Sequence, residues 1–180
     1  MAATEPTILL TSALEDAEVL LNWVEKKNIR LLHLPLEKYV SSEPDEEDLV
    51  ELLESSENII YGHKRNAKFF MKYAKEQNLL KQVIDRVNLA AQERTAIYLE
   101  EQGVPAIYPG SEEPIKMLEF LMRLRRLGTV FYPCGSHKND EIPGLLSELD
   151  IDVQERIFYE LQGPSAEELE TYKAQLQKQR

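Results

Sequence analysis

Apolar and polar positions along this chain change period again and again, from the two-residue rhythm of strands to the three-to-four-residue rhythm of helices. Thr7–Thr11 is a short β-type run. Ser12 stands behind it as a helix N-cap, with Glu15 and Asp16 in the first turn, where carboxylates meet the positive end of the helix dipole. Leu14, Ala17, Leu20, Leu21 and Val24 then fall on one helical face. Ile29–Leu34 is the next strand, with His33 alternating among leucines as a structural residue, and Pro35 stops it.

Leu36–Pro44 is polar and ends Ser-Ser-Glu-Pro, the composition of a linker. Asp45 can cap a helix over Glu46–Glu54 that carries Leu49, Val50, Leu52 and Leu53. Asn58–Tyr61 is a strand, and Arg65–Gln77 a helix with Phe69, Phe70 and Tyr73 on its apolar side. Val83–Ala90 is expected as a strand with a polar Asp-Arg interruption, and Gln92–Gln102 as a helix closed by Gly103. Ala106–Tyr108 is a short strand. Ser111 opens a helix to Arg126 with Pro114 in its first turn, and Gly128 closes it. From Thr129 a β run leads into a Pro133-Cys134-Gly135 turn whose backbone N–H groups are expected to be free above a helix start. That helix carries the stripe Leu145–Leu149, and a further β run ends on Tyr159. Gln162-Gly-Pro-Ser165 launches a last helix, Ala166–Lys178, charged nearly all round.

Strands alternating with helices predict parallel sheets covered on both faces. The five β runs between Leu36 and Tyr159 suffice for one doubly wound sheet, and the opening β-α-β belongs to a second. In such sheets ligands bind beyond the carboxyl ends of the strands. That edge carries the Pro-Cys-Gly turn and Tyr159.

Composition narrows the function. A hydrophobic fraction of 43% suits a soluble globular protein with a core, and no apolar run approaches the ~20 residues of a membrane span. Met-Ala-Ala-Thr-Glu-Pro has no basic region before an apolar stretch, so no signal peptide is expected. The single cysteine excludes an intramolecular disulfide, and the expected setting is the cytoplasm. The net charge is −11, and the one compact basic cluster is Arg123-Leu-Arg-Arg126, so nucleic acid is not an expected partner, nor is a membrane. Cys134-x-x-His137 lacks a second ligand pair, so no metal is expected there. No Gly-x-Gly-x-x-Gly, Walker loop, serine elbow or acidic cage appears, which removes weight from dinucleotide, P-loop and hydrolase chemistry.

Phe131-Tyr-Pro-Cys-Gly135 with Glu141-Ile-Pro143 and Leu146, followed by the return strand Ile157-Phe-Tyr159, resembles the second domain of the uroporphyrinogen-III synthase family. Ala90-Ala-Gln-Glu-Arg-Thr95 sits where that family has a hydrophobic-Gly-x-x-Thr turn; the threonine matches and Gln92 replaces the glycine. Gly62-His63 stands where the family has Thr-Ser, and Thr11-Ser12 where many members have Thr-Arg. The resemblance implies two flavodoxin-like parallel-sheet α/β domains joined by a two-stranded linker, with residues 1–35 plus 157–180 in the first and 36–156 in the second. The first would be incomplete: about twenty residues follow the return strand, where the family continues for about half a domain. The chain is then either truncated or naturally short.

The implied activity is that of a cofactor-free, monomeric lyase that closes linear hydroxymethylbilane to uroporphyrinogen III. Tyr159 would be catalytic, and Thr11, Ser12, Gly62, His63, Arg65, Thr95, Cys134, Gly135, Ser136 and Lys138 would bind substrate. Some have an ordinary alternative: a structural tyrosine at 159, a first-turn threonine at 95, a solvated basic turn at His63-Lys64-Arg65 and a solvated loop lysine at 138. The alternative function is a truncated or non-catalytic relative that binds a tetrapyrrole or a protein. A receiver-type signalling domain would need clustered aspartates after the first strand, and Leu10-Thr-Ser12 has none.

Overall fold

A computed structural model describes residues 7–14, 17–44, 46–124, 128–137 and 141–178. In chain order its elements are β1 (Thr7–Leu10), α1 (Glu18–Lys27), β2 (Arg30–His33), β3 (Lys38–Ser41), α2 (Glu46–Ser55), β4 (Ser56–Tyr61), α3 (Lys64–Glu76), α4 (Leu80–Ile84), β5 (Val87–Ala90), α5 (Glu93–Glu101), α6 (Pro114–Leu121), β6 (Thr129–Gly135), α7 (Glu141–Glu148), β7 (Val153–Gln162) and α8 (Ala166–Gln177). They form a mixed α/β fold with parallel pairing between β1 and β2, β4 and β5, β4 and β6, and β6 and β7. The chain divides into two compact units, Met1–Val40 with Leu161–Arg180 and Ser41–Glu160.

In the smaller unit β1 and β2 pair in register from Thr7 opposite Arg30 to Leu10 opposite His33. Leu10, Ala17, Val24 and Leu34 are buried, whereas Leu9, Val19 and Trp23 are exposed. Ser12 does not cap α1: the helix starts at Glu18, Ala17 holds the N-cap position, and Leu14 is exposed instead of joining the stripe. The Ser12 carbonyl accepts a hydrogen bond from His33 Nε2 at 3.0 Å, which ties the segment to the end of β2. Glu15 and Asp16 lie outside the described residues. Helix α8 opens on a capping box: Ser165 Oγ accepts the Glu168 N–H at 3.2 Å, and Glu168 Oε2 accepts the Ser165 N–H at 2.8 Å. Lys38 bonds the same carboxylate, and that contact, with the Ser165 N–H, holds it below its ordinary range. No side chain of α8 is buried.

The second sheet has the order β3-β7-β6-β4-β5. The chain passes from one unit to the other inside β3 and again inside β7, so the Leu36–Pro44 linker carries a strand. Period-two alternation in β4 and β6 divides the core. Ile59, Tyr61 and Phe131 pack with residues of α2 to α5, while Ile60, Val130, Tyr132 and Cys134 pack with Met117, Leu118 and Leu121 of α6 and Ile142 and Leu146 of α7. A parallel strand buried on both faces is continuously apolar, as Val130–Tyr132 is. On the first face Phe70 meets the rings of Phe158 at 5.1 Å, Phe131 at 5.2 Å and Tyr61 at 6.1 Å.

Several local expectations are corrected. Val83 belongs to α4 and is buried through the helix; Asp85 ends that helix, and β5 begins at Val87. Ala106–Tyr108 contributes a single parallel bridge, Leu89 to Ile107. Helix α6 spans Pro114–Leu121, with Pro114 in its first turn, and is shorter than the apolar pattern suggests. Asp45 and residues 125–127 lie outside the described residues. The Pro-Cys-Gly segment is no turn. It is the end of β6, held in place by β7, which itself continues past Tyr159 to Gln162. Among the described residues no helix is long and apolar enough to cross a membrane.

Phe70 joins three other aromatic rings with no exposure of its own. Phe70→Ala should lower unfolding free energy by about 3–5 kcal/mol in urea titrations; a loss below ~1 kcal/mol would show that this cluster does not anchor the unit.

Candidate functional site

The carboxyl edge of the second sheet is where backbone direction and helix starts coincide. Strand β4 delivers Gly62 and His63 to the start of α3, and β5 delivers Ala91 and Gln92 to the start of α5. The Ala91 N–H donates to the Tyr61 carbonyl at 2.9 Å and locks these two turns together. Gly62, His63, Ala91, Gln92, Glu112, Pro114, Glu141 and Ile142 surround a cavity of about 310 Å³. Four helix starts, those of α3, α5, α6 and α7, therefore contribute to its wall. Neither His63 nor Gln92 caps its helix with a side chain. Uncapped first-turn N–H groups attract anions.

Charge around this edge is divided. Lys64 and Arg65 occupy the first turn of α3, with Lys64 Nζ 5.7 Å from the centre of the Tyr98 ring. Glu112 and Glu141 are on the cavity wall and Glu93 is in the first turn of α5. Burial pushes the Tyr108 phenol up, and Glu112 and Glu93 push it further. Anionic groups of a ligand are thus favoured on the α3 side and opposed on the Glu112–Glu141 side.

Tyr159 of β7 pairs with Gly135, the last residue of β6, in the β6–β7 register. Its ring is buried and stacks on Phe69 of α3 with centroids 4.7 Å apart. Its hydroxyl donates to Asn66 Oδ1 at 2.8 Å, and its carbonyl accepts the Ser136 N–H at 2.9 Å. A Cβ on residue 135 would lie 2.4 Å from Tyr159 Cε2, so glycine is required for the ring to lie where it does.

The expected site residues are distributed unevenly. Gly62 and His63 share the cavity wall, Gly62 buried and His63 exposed. Arg65 follows in α3, half-buried. Gly135, Ser136 and Tyr159 form one contact group. Cys134 is buried beside them, its thiol directed at the Arg156 carbonyl at 3.4 Å. Thr95, at the third position of α5, is fully buried, and its Oγ1 has no hydrogen-bond partner among the described residues. Thr11 and Ser12 belong to the smaller unit, and Lys138 lies outside the described residues. Among the described residues no group of three or more His, Cys, Asp and Glu could hold a metal ion. Sequence reasoning missed Asn66 and Phe69 as the partners of Tyr159. Asn66 carries a signal: it lies four residues before Phe70 and eight before Ala74, so it is polar on an otherwise apolar stripe.

The family model described as uroporphyrinogen-III synthase HemD matches residues 18–180. The chain is also similar to solved structures. One is a mutant uroporphyrinogen III synthase from the extremely thermophilic bacterium Thermus thermophilus, 18% identical, with a TM-score of 0.64 over 96% of this chain and 69% of that one. Another is uroporphyrinogen-III synthetase from Helicobacter pylori, 17% identical, with a TM-score of 0.64 over 93% of this chain and 68% of that one. No curated protein matches the chain significantly.

Thr95 tests whether its hydroxyl serves the fold. An unpartnered buried hydroxyl costs about 1–3 kcal/mol, so Thr95→Val should leave stability in urea unchanged or raise it by about 1 kcal/mol. A loss of more than ~1 kcal/mol would mean that the hydroxyl is satisfied in the folded protein.

Proposed function

Because the chain belongs to the uroporphyrinogen-III synthase family, we propose that it converts linear hydroxymethylbilane to uroporphyrinogen III and water. The match over residues 18–180 carries this reading. The geometry supports it with a donor-lined edge and with Tyr159 beside the first turns of α3.

The chemistry follows from the substrate. Its terminal hydroxyl leaves as water, taking a proton, and the electrons of the attached pyrrole fill the gap to give an azafulvene. The last pyrrole attacks through its own substituted carbon to form a spiro intermediate. The spiro carbon then releases its bond to the methylene bridge of the third pyrrole, whose electrons leave that ring as a second azafulvene. The inverted last pyrrole attacks it through its free alpha carbon, which closes the macrocycle and loses its proton. The pyrroles supply the electrons, so the protein's task is to fold a flexible polycarboxylate and to help a hydroxyl depart. The first turns of α3 and α5, with Lys64 and Arg65, would take carboxylates. The Tyr159 hydroxyl would hydrogen-bond the departing oxygen. This reading needs no cofactor.

We propose the corresponding architecture: two flavodoxin-like domains, residues 1–35 with 157–180 in the first and 36–156 in the second, acting as a monomer in the cytoplasm. Among the described residues of the smaller unit few apolar side chains are buried against the two-stranded parallel pair, a thin core that supports a partial first domain. One observation favours a second reading, a relative that binds a tetrapyrrole or a protein without turning it over. Glu112 and Glu141 stand on the cavity wall, where a polycarboxylate would meet repulsion.

The deciding experiment feeds freshly generated hydroxymethylbilane to the purified chain and separates the oxidised type III and type I porphyrins. Type III is expected above the enzyme-free control, falling at least about tenfold in Tyr159→Phe. Type I alone from a chain shown to be folded would sink the synthase reading and leave the binding one.

A further inference from the structure

Tyr159 is held from three sides, and two of them belong to one helix. Gly135 of β6 leaves room for the edge of the ring, Phe69 of α3 covers its face, and Asn66 of α3 accepts its hydroxyl proton. Asn66 is itself 1% exposed, in the first turn of the helix whose start borders the carboxyl-edge cavity. A buried amide in that place must be hydrogen-bonded to be tolerated, and a phenol can satisfy it. The bond spans 93 residues of sequence and joins the last strand of the sheet to the helix that opens at the cavity.

Resting on the synthase reading above, we infer that Asn66 is a positioning residue: it sets the direction of the Tyr159 hydroxyl and couples it to the first turn of α3. With the proton directed at Asn66 Oδ1, Tyr159 cannot donate to a departing hydroxyl until this bond is given up. Substrate held by the start of α3 and a phenol held by Asn66 then share one rigid element. Phe69 keeps the ring plane while the hydroxyl changes partner. Asn66 needs no contact with substrate to act in this way.

The test uses the full chain labelled at tyrosine Cζ, with the Tyr159 resonance assigned by its loss in Tyr159→Phe. Asn66→Ala, or the milder Asn66→Ser if alanine impairs folding, should shift that resonance in the absence of substrate. In turnover the same variants should lower kcat about tenfold, the worth of one oriented hydrogen bond, with KM within about twofold. Asn66→Ala combined with Tyr159→Phe should be no slower than Tyr159→Phe alone. A Tyr159 resonance unmoved by either Asn66 variant overturns the inference. So do effects that multiply in the double variant, even while type III product still forms and the synthase reading stands. If the Asn66 variants shift the resonance but the unsubstituted chain makes no type III product, the synthase reading falls and the hold of Asn66 on Tyr159 stands.

Discussion

The burial of β6 on both faces is the constraint on which the larger unit depends. From Val130 to Gly135 this strand has almost no contact with solvent, and it has a parallel neighbour on each edge, β4 and β7. Its odd and even side chains must therefore meet two separate helical layers. This divides the core into an aromatic face around Phe70, Phe131 and Phe158 and an aliphatic face around Met117, Leu121 and Leu146. The same strand ends where β7 carries Tyr159, so the packing that stabilises the unit also delivers the phenol to the carboxyl edge.

At that edge dipoles and formal charges oppose one another. Helix starts concentrate N–H donors, which favour an anionic ligand, while Glu112 and Glu141 stand on the wall of the same cavity. Lys64 and Arg65 put the positive potential on the α3 side. Anionic groups are thus favoured on the side of α3, the helix whose Asn66 accepts the Tyr159 hydroxyl. Other buried polar groups in this unit serve the fold. Asn88 accepts the Tyr61 hydroxyl at 3.0 Å while donating to the Val83 and Arg86 carbonyls, and burial pushes the Tyr61 phenol well up.

Much of this was legible in the chain. Apolar periodicity marked the strand at Asn58–Tyr61 and the helices around Leu49, Phe70 and Leu99, because side-chain burial imposes those periods directly. Gly103 and Pro114 marked helix ends through their own backbone limits. Gly62-His63, Thr95 and Tyr159 could be placed at helix starts and strand ends without coordinates. Their partners could not. Nothing in the neighbourhood of Tyr159 names Asn66, and nothing at Thr95 says that its hydroxyl turns inward.

The sequence by itself determined the alternation of strands and helices and the parallel pairing it implies, since these rest on short-range periodicity and backbone preference. Only the tertiary structure decided that Val83 is buried from a helix and that Pro133-Cys134-Gly135 completes a strand. It alone decided that the Tyr159 hydroxyl belongs to Asn66. The physical reason is common to all three: an apolar or extended segment records that it is buried, while the identity of what buries it is set by chain segments far away in sequence.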